Sequence, residues 1–350
     1  MNKDNPIIYD DIIFSLQKAG GCSVVFTELY KRINKNTIHY LYDNANENFF
    51  YDENLFKNKK ILKSFLLPFK RYCNLKIKRN KPFVFHSTLY RICKNKKAVN
   101  ITTVHDFTYE YYRKDLKSNL HKWQKKQAVM NSDGVICISE NTKNDLLQCY
   151  PEYKGAIKVI YNGYSTDKYF YKPEIKKTRN ILFVGARTDY KRFDFAVDIC
   201  NILTDTKLLI VGGGNLTENE TLLLNSKLYG RYEKCGFLSD EELCDLYNSA
   251  FFLCYPSEYE GFGIPILEAQ ACGCPVVCQK KSSVPEVAAD AGVYIDSDDL
   301  EKSIDIIKQL YNPASYENLK NKGLENVKRF SWDKCAMEVY EFYNEVFNKK

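Results

Sequence analysis

The sequence predicts an α/β protein made of two Rossmann-like units. Three observations lead there. At 350 residues the chain exceeds one ordinary compact core, and at about 150 residues per domain it has room for two. Short apolar runs alternate with stretches of helical periodicity, the pattern of a parallel sheet with crossover helices. The alternation occurs twice, separated by a stretch with no clear period.

In the first set the expected strands are 6–9, 37–42, 82–87, 99–105, 134–139 and 157–162. Helical periodicity fits 22–33, 117–131 and 140–149, and Ser139 stands where it can cap the last of these. Residues 162–180 carry turn residues, charges and one proline, and read as an inter-domain linker. The second set comprises strands at 180–185, 207–212, around Cys235, 250–255, 275–279 and 292–295, with helices between. A long amphipathic helix closes the sequence from Trp332 to about Asn348. The expected domains are therefore 1–165 and 166–331, with 332–350 a terminal helix that crosses back to the first domain.

Composition excludes several classes. No stretch approaches the roughly 20 apolar residues of a membrane-spanning helix. The opening MNKDNPIIYDD lacks the apolar run and cleavage site of a signal peptide, so a cytoplasmic location is expected. The 13 cysteines are scattered, many within apolar runs where cysteine acts as a small buried hydrophobe. Cys272, Cys274 and Cys278 cluster, but no histidine follows His121, so a reduced core strand is expected rather than a zinc site. The net charge of +7 is local: residues 56–97 hold 14 Lys and Arg and no Asp or Glu, which leaves 37 basic against 44 acidic groups elsewhere. Within it, FKNKKILKSFLLPFKRY at 56–72 mixes cations with Phe, Leu and Ile, and a segment of that kind can lie on an anionic bilayer. Pro68 interrupts any helix there, and a lysine-rich surface with Leu66 and Leu67 packed inward is the alternative reading.

The strongest chemical signal is FLCYPSEYEGFGIPILEAQACGCPVVCQ at 252–279. A strand ends in Tyr-Pro-Ser, a loop follows with Glu260, Gly261, Phe262 and Gly263, and Ile264 opens a helix that contains Glu268. In a parallel sheet, ligands bind at the carboxyl ends of strands. The free N–H groups of a helix N-terminus receive oxygens or phosphates, and the glycines permit close approach. Two carboxylates spaced in this way reach two parts of one elongated ligand, and a carboxylate suits the vicinal hydroxyls of a sugar or ribose. A lone pair of glutamates at this spacing would be read as a loop charge and an exposed helix residue. At 183–194, FVGARTDYKRFD places Arg187 and Lys191 at a strand end, a pair suited to a diphosphate whose charge grows as a bond breaks. Arg192 reads as a surface residue. VGGGN at 211–215 lacks the full G-x-G-x-x-G pattern of a dinucleotide loop.

The 252–279 stretch, including PILEAQACGCPVV, resembles the signature of retaining glycosyltransferases of family four, and the resemblance extends over nearly the whole chain. It implies a GT-B fold, two Rossmann-like domains facing each other across a cleft, with the acceptor on the first and a nucleotide diphosphate sugar on the second. By this resemblance Arg187 and Lys191 hold the donor diphosphate, Glu268 the ribose, and Glu260 with the backbone at Phe262 and Gly263 the sugar. Gly20 and Gly21 resemble the family's first loop, whose glycines approach phosphate and acceptor. PFVFHSTLYR with His86 and Arg91, and TVHDFTYEYY with His105 and Asp106, resemble acceptor-side loops of polysaccharide-building members. The resemblance places His105 beside the transferred sugar, while His86 reads equally as a core histidine. The Arg187-to-Lys191 spacing is shorter than in some members.

The expected activity is metal-independent hexosyl transfer with retention, to a glycan or lipid-linked acceptor, in surface polysaccharide or lipopolysaccharide synthesis. Mannose from GDP-mannose is the first candidate donor, on resemblance alone. No cofactor is expected. The only clear Asp-x-Asp pair, Asp296 and Asp298, lies far from the glutamate helix. The expected partners are the donor, the acceptor and an anionic inner-leaflet membrane reached through 56–97. Three alternatives stay open: a sugar-nucleotide epimerase, a phosphorylase, for which no pyridoxal-phosphate lysine stands out, and a basic nucleic-acid-binding protein, for which no aromatic-basic motif is present.

Overall fold

The computed structural model describes residues 6–33, 36–236 and 238–350; the first five residues of the opening segment lie outside that set. The chain divides into two compact units, Met1–Gly163 with Trp332–Lys350, and Tyr164–Ser331.

The first unit holds seven strands: β1 (Ile7–Asp10), β2 (Thr37–Tyr42), β3 (Lys59–Leu62), β4 (Phe83–Ser87), β5 (Ala98–Val104), β6 (Gly134–Cys137) and β7 (Ala156–Val159). They form one parallel sheet in the order β3-β2-β1-β4-β5-β6-β7. The central strands β1, β4, β5 and β6 are buried along their whole length, as parallel strands covered on both faces must be. The terminal helix Trp332–Lys349 packs within this unit. A side chain at Gly134 would meet Phe342 and Val346 at 2.9 Å, so only glycine allows the helix to lie this close to β6.

Strand β3 was not expected. Its sequence KKIL shows no apolar alternation, because it is the sheet edge and its residues are half-buried or exposed. Lysines on an edge strand discourage pairing with another chain. The reading of 56–72 as one in-plane amphipathic segment is corrected here. Lys59–Leu62 is paired to β2, and only Leu67–Lys70 is helical, with Pro68 in its first turn and Leu66 in the left-handed region at φ 62°. Leu67 packs with Ile12 and Tyr42.

The second unit holds β8 (Asn180–Val184), β9 (Lys207–Val211), β10 (Tyr232–Cys235), β11 (Phe252–Tyr255), β12 (Val276–Gln279) and β13 (Gly292–Ile295). Their order is β10-β9-β8-β11-β12-β13, all parallel. The core lies between the sheet and its helices, with Ile181, Phe183, Leu208, Ile210, Phe252 and Val277 from the strands meeting Phe195, Ile199 and Ile307 from the helices. Much of the segment read as a linker is strapped to this unit. Lys168 and the Tyr169 hydroxyl both reach Asp240, at 2.6 and 3.0 Å, and Lys172 reaches Asp245 at 2.6 Å. Its charges looked like solvated linker in the sequence because their partners lie about 70 residues downstream.

Candidate active site

In each sheet the order reverses direction between two neighbouring strands, β1 and β4 in the first, β8 and β11 in the second. The loops leaving such a pair diverge and open a crevice at the carboxyl ends, where ligands bind in open parallel sheets. In the second unit those loops carry Arg187 and Lys191 after β8, and Glu260 to Gly263 after β11.

Lys191 and Glu260 meet: Nζ lies 2.5 Å from Oε1. The Lys191 ammonium also sits 5.5 Å from the Tyr255 ring centre. Glu260 is 9% exposed, and its position is fixed from β12's side. Its N–H donates to Ser282 Oγ at 2.8 Å, and the Ser283 hydroxyl donates to the carbonyls of Glu260 and Phe262, each at 2.9 Å. Gly263 has φ +111°, a conformation that L side chains rarely adopt, and opens the helix Ile264–Ala271 with no side-chain cap. In its first turn Pro265 has no N–H and the Ile266 N–H donates to the Gly263 carbonyl at 3.0 Å, so the helix start, beside buried Gly261 and Phe262, offers a ligand chiefly its positive dipole end.

Glu268 lies on the same helix and accepts from the Tyr247 hydroxyl at 3.1 Å. Burial pushes its carboxyl up to about 7; the Tyr247 hydrogen bond pulls the other way, and the Asp240 charge adds to the rise. Glu268 thus changes charge near neutral pH.

Arg187 is fully engaged within its own unit. Its Nε donates to Glu220 at 2.8 Å, and its two terminal nitrogens donate to the carbonyls of Gly212, Gly213, Gly214 and Asn215 at 2.8–3.3 Å. The glycine stretch passed over in the sequence is this loop. Its three glycines have φ of 81°, 70° and 74°, and a side chain at Gly213 would come within 2.4 Å of the Arg187 guanidinium. Arg192 pairs with Glu258 at 3.0 Å, and its NH1 contacts Ser297 Oγ at 2.7 Å and Asp298 at 3.5 Å. Asp298 therefore belongs to a surface ion-pair loop. Cys274 and Cys278 are buried, and the Cys272 thiol lies 3.7 Å from Cys244.

In the first unit, Gly20 and Gly21 open the helix Gly21–Arg32, again without a side-chain cap, and the space above Gly21 is open. His105 and Asp106 follow β5 and are half-buried. Burial drives the His105 imidazole down to about 4, against the Asp106 charge, so the ring is neutral at physiological pH. Asp106 accepts from the Thr108 N–H at 2.9 Å.

Two acceptor-side expectations are corrected. His86 is fully buried, its Nδ1 2.6 Å from the Tyr343 hydroxyl and its Nε2 2.9 Å from Thr103 Oγ1. Both ring nitrogens are used inside the core, and burial lowers its pKa to about 3. Arg91, 2% exposed, forms a two-pronged ion pair with Asp10 and donates further to the Tyr42 hydroxyl at 3.1 Å and to the carbonyls of Lys70 and Cys73. A buried carboxylate demands such a partner, and Asp10 was not singled out in the sequence. Asp10, which ends β1, and Asp11 just beyond it are 0% exposed; Asp11 is held by His39 at 3.0 Å and by Tyr30. The crevice floor of the first sheet is thus a buried polar network. Tyr247, Glu220, Ser282 and Ser283 were also missed. Only the serines carried a local signal, a polar pair separated from the end of β12 by two residues.

Two family models cover most of the chain. Glycosyltransferase Family 4 matches residues 19–168, and Glycosyl transferases group 1 matches 165–326. A similar curated protein is the O-antigen chain mannosyltransferase B of Escherichia coli, 27% identical over 69% of each chain. Among solved structures, sucrose-phosphate synthase from Thermosynechococcus elongatus aligns at a TM-score of 0.76 with 18% identity, over 99% of this chain and 100% of that one. Anabaena Alr3699/HepE in complex with UDP and glucose aligns at 0.72 with 13% identity, over 97% and 100%. These neighbours share the fold, two parallel Rossmann-like sheets of the GT-B type. With both halves matched in order, each built on its own parallel sheet, the chain belongs to glycosyltransferase family four.

Proposed function

We propose that this glycosyltransferase moves a hexose, mannose in the first instance, from a nucleotide diphosphate onto a glycan or lipid-linked acceptor of a surface polysaccharide, without a metal ion and with retention. The observation that carries the reading is the cluster at the second switch point: the Lys191–Glu260 pair, the uncapped helix start at Gly263 and Glu268 farther along the same helix. The donor diphosphate lies at that helix start with Lys191 against it. As the bond from anomeric carbon to phosphate oxygen breaks, the departing oxygens gain charge, and a fixed cation and the positive end of the helix stabilise it. Ion-pairing with Glu260 holds Lys191 in place beforehand. Glu260 orients the sugar, and Glu268 in its ionised form accepts from the ribose hydroxyls. Arg187 acts by holding the glycine loop, and it reaches the diphosphate only by giving up those hydrogen bonds. On the acceptor side, neutral His105, Asp106 and the Gly20–Gly21 helix start supply hydrogen bonds without net positive charge. The mannose assignment rests on the E. coli relative's name; the Anabaena neighbour holds UDP, which makes a uridine donor the competing choice.

We further propose that the enzyme works at an anionic membrane surface. Among the described residues no helix is long and apolar enough to cross a membrane. The loop after β3, however, exposes Phe65 at 76%, Leu66 at 51% and Phe69 at 72% beside Lys63 and Lys70. Three exposed apolar side chains flanked by cations suit shallow insertion among acidic headgroups. A thermal-shift screen of GDP- and UDP-sugars, with and without EDTA, tests the donor reading. A single sugar nucleotide that stabilises the protein in EDTA supports it, and stabilisation that needs added magnesium or manganese contradicts it.

A further inference from the structure

In the first unit, residues 72–80, 94–97 and Trp123 line a groove of about 1290 Å³ whose walls include neither the glycine helix start nor His105. Its walls are the descending connections into β4 and β5, and its rim includes Trp123 from the helix Leu116–Met130. The connections are braced to each other. The Asn95 side-chain amide donates to the carbonyls of Ile77 and Arg79 at 3.0 and 2.9 Å, Leu75 pairs with Cys93, and the Ile92 N–H donates to Asn74. Ile77 and Cys93 anchor the walls in the core. The groove is therefore a formed feature.

Lys76, Lys78, Lys94, Lys96 and Lys97 line it, all exposed, and no Asp or Glu occurs anywhere in 56–97. None of these five ammonium groups has a carboxylate partner among the described residues, whereas Lys168, Lys172, Lys191 and Lys207 are all paired. Five like charges around one concavity repel one another and concentrate anions there. Trp123, 54% exposed, adds a flat apolar face at the rim, the surface on which a sugar ring stacks.

We infer that this groove binds an anionic glycan, a chain bearing carboxylate or phosphate groups, remote from the site of transfer. Its concavity and single aromatic platform fit a narrow chain threaded lengthwise, with anionic groups on the lysines and one ring on Trp123. A bilayer is flat and would engage the protruding Phe65, Leu66 and Phe69, leaving the groove floor unfilled. The inference rests on the proposed function only for which glycan the enzyme would meet, and its test needs no turnover.

The chain has 2 tryptophans, and Trp332 is 2% exposed, so a change in emission on titration reports on Trp123. The probe is hexameric oligogalacturonate, with its fully methyl-esterified form as the uncharged control. The expected result is a saturable emission change with the acid form only, weakening about tenfold between about 50 and about 200 mM salt. Lys78→Glu with Lys96→Glu should abolish binding by calorimetry while melting temperature and donor hydrolysis stay unchanged. Trp123→Ala should remove the optical signal and weaken binding about tenfold. Equal binding of the esterified probe, no binding of the acid form at low salt, or stronger binding of single-stranded RNA or anionic vesicles to the same lysines would overturn the inference. Loss of donor hydrolysis in wild type with glycan binding intact would count against the proposed function and leave the groove standing.

Discussion

Replacing Glu268 by Gln separates two consequences of the same carboxylate. Moving the carboxyl from its ordinary 4.5 to about 7 corresponds to about 3 kcal/mol at about 1.4 kcal/mol per pH unit. The native state holds this proton more tightly than the unfolded chain, so Glu268's contribution to stability is fully present below about pH 4.5 and is lost as pH rises to about 7. Glutamine never ionises. The Gln variant should therefore match wild type near pH 4.5, pull ahead as pH rises, and level off above about 7 with a gain of about 3 kcal/mol, roughly 6–10 °C in the melting temperature of a unit this size. The same change removes the ionised acceptor for the ribose, so affinity for the bare nucleoside diphosphate should fall roughly tenfold. Wild-type affinity should itself weaken as pH drops below about 7. Melting curves from pH 4.5 to 8.5, with calorimetry at pH 8, read both effects. A stability difference that does not vary with pH refutes the burial argument, and a stabilised variant with unchanged nucleotide affinity refutes the ribose assignment.

Other outcomes follow from the same geometry. Glu260→Ala should leave nucleoside diphosphate affinity nearly intact and depress turnover at least about tenfold, since it removes the sugar contact and frees Lys191 from its 2.5 Å pairing; calorimetry with the two glutamates exchanging these behaviours would overturn the assignment. Activity should survive EDTA, and loss restored by magnesium or manganese would show that Lys191 does not supply the needed charge. His86→Phe should cost stability, because the Tyr343 and Thr103 hydroxyls lose their buried partner, about 1–3 kcal/mol each, and leave acceptor KM unchanged; a raised KM with normal stability would return His86 to the acceptor site. Wild type should sediment with anionic but not neutral liposomes, and Phe65→Ser with Phe69→Ser should abolish that without changing donor hydrolysis; sedimentation unaffected by the pair would remove the loop from membrane binding.

Most of the described strands announced themselves as apolar runs because parallel strands are covered on both faces. The edge strands are the exceptions: β3 (KKIL) and β10 (YEKC) carry charges because one side of each is open. The glutamate loop was legible because its glycines, proline and carboxylates are contiguous. What sequence could not reveal was partnership across distance. Arg91 looks like a ligand-binding arginine until Asp10, 81 residues away, is seen to claim it. Arg187 looks free until the carbonyls at 212–215 fold over it. Glu268 carries no mark of its shifted titration, which comes from burial and from the Asp240 charge on a neighbouring element, against the Tyr247 hydrogen bond. Charge pattern alone located the basic region but not its division into a protruding apolar loop and a braced groove.

Following turnover by proton NMR, with the sugar nucleotide that best stabilises the protein, tests the central claim most directly. The account expects transfer that depends on Glu260 and Lys191, with the early product carrying the donor's anomeric configuration. An inverted product, or transfer undiminished when both residues are replaced by Ala, would contradict it.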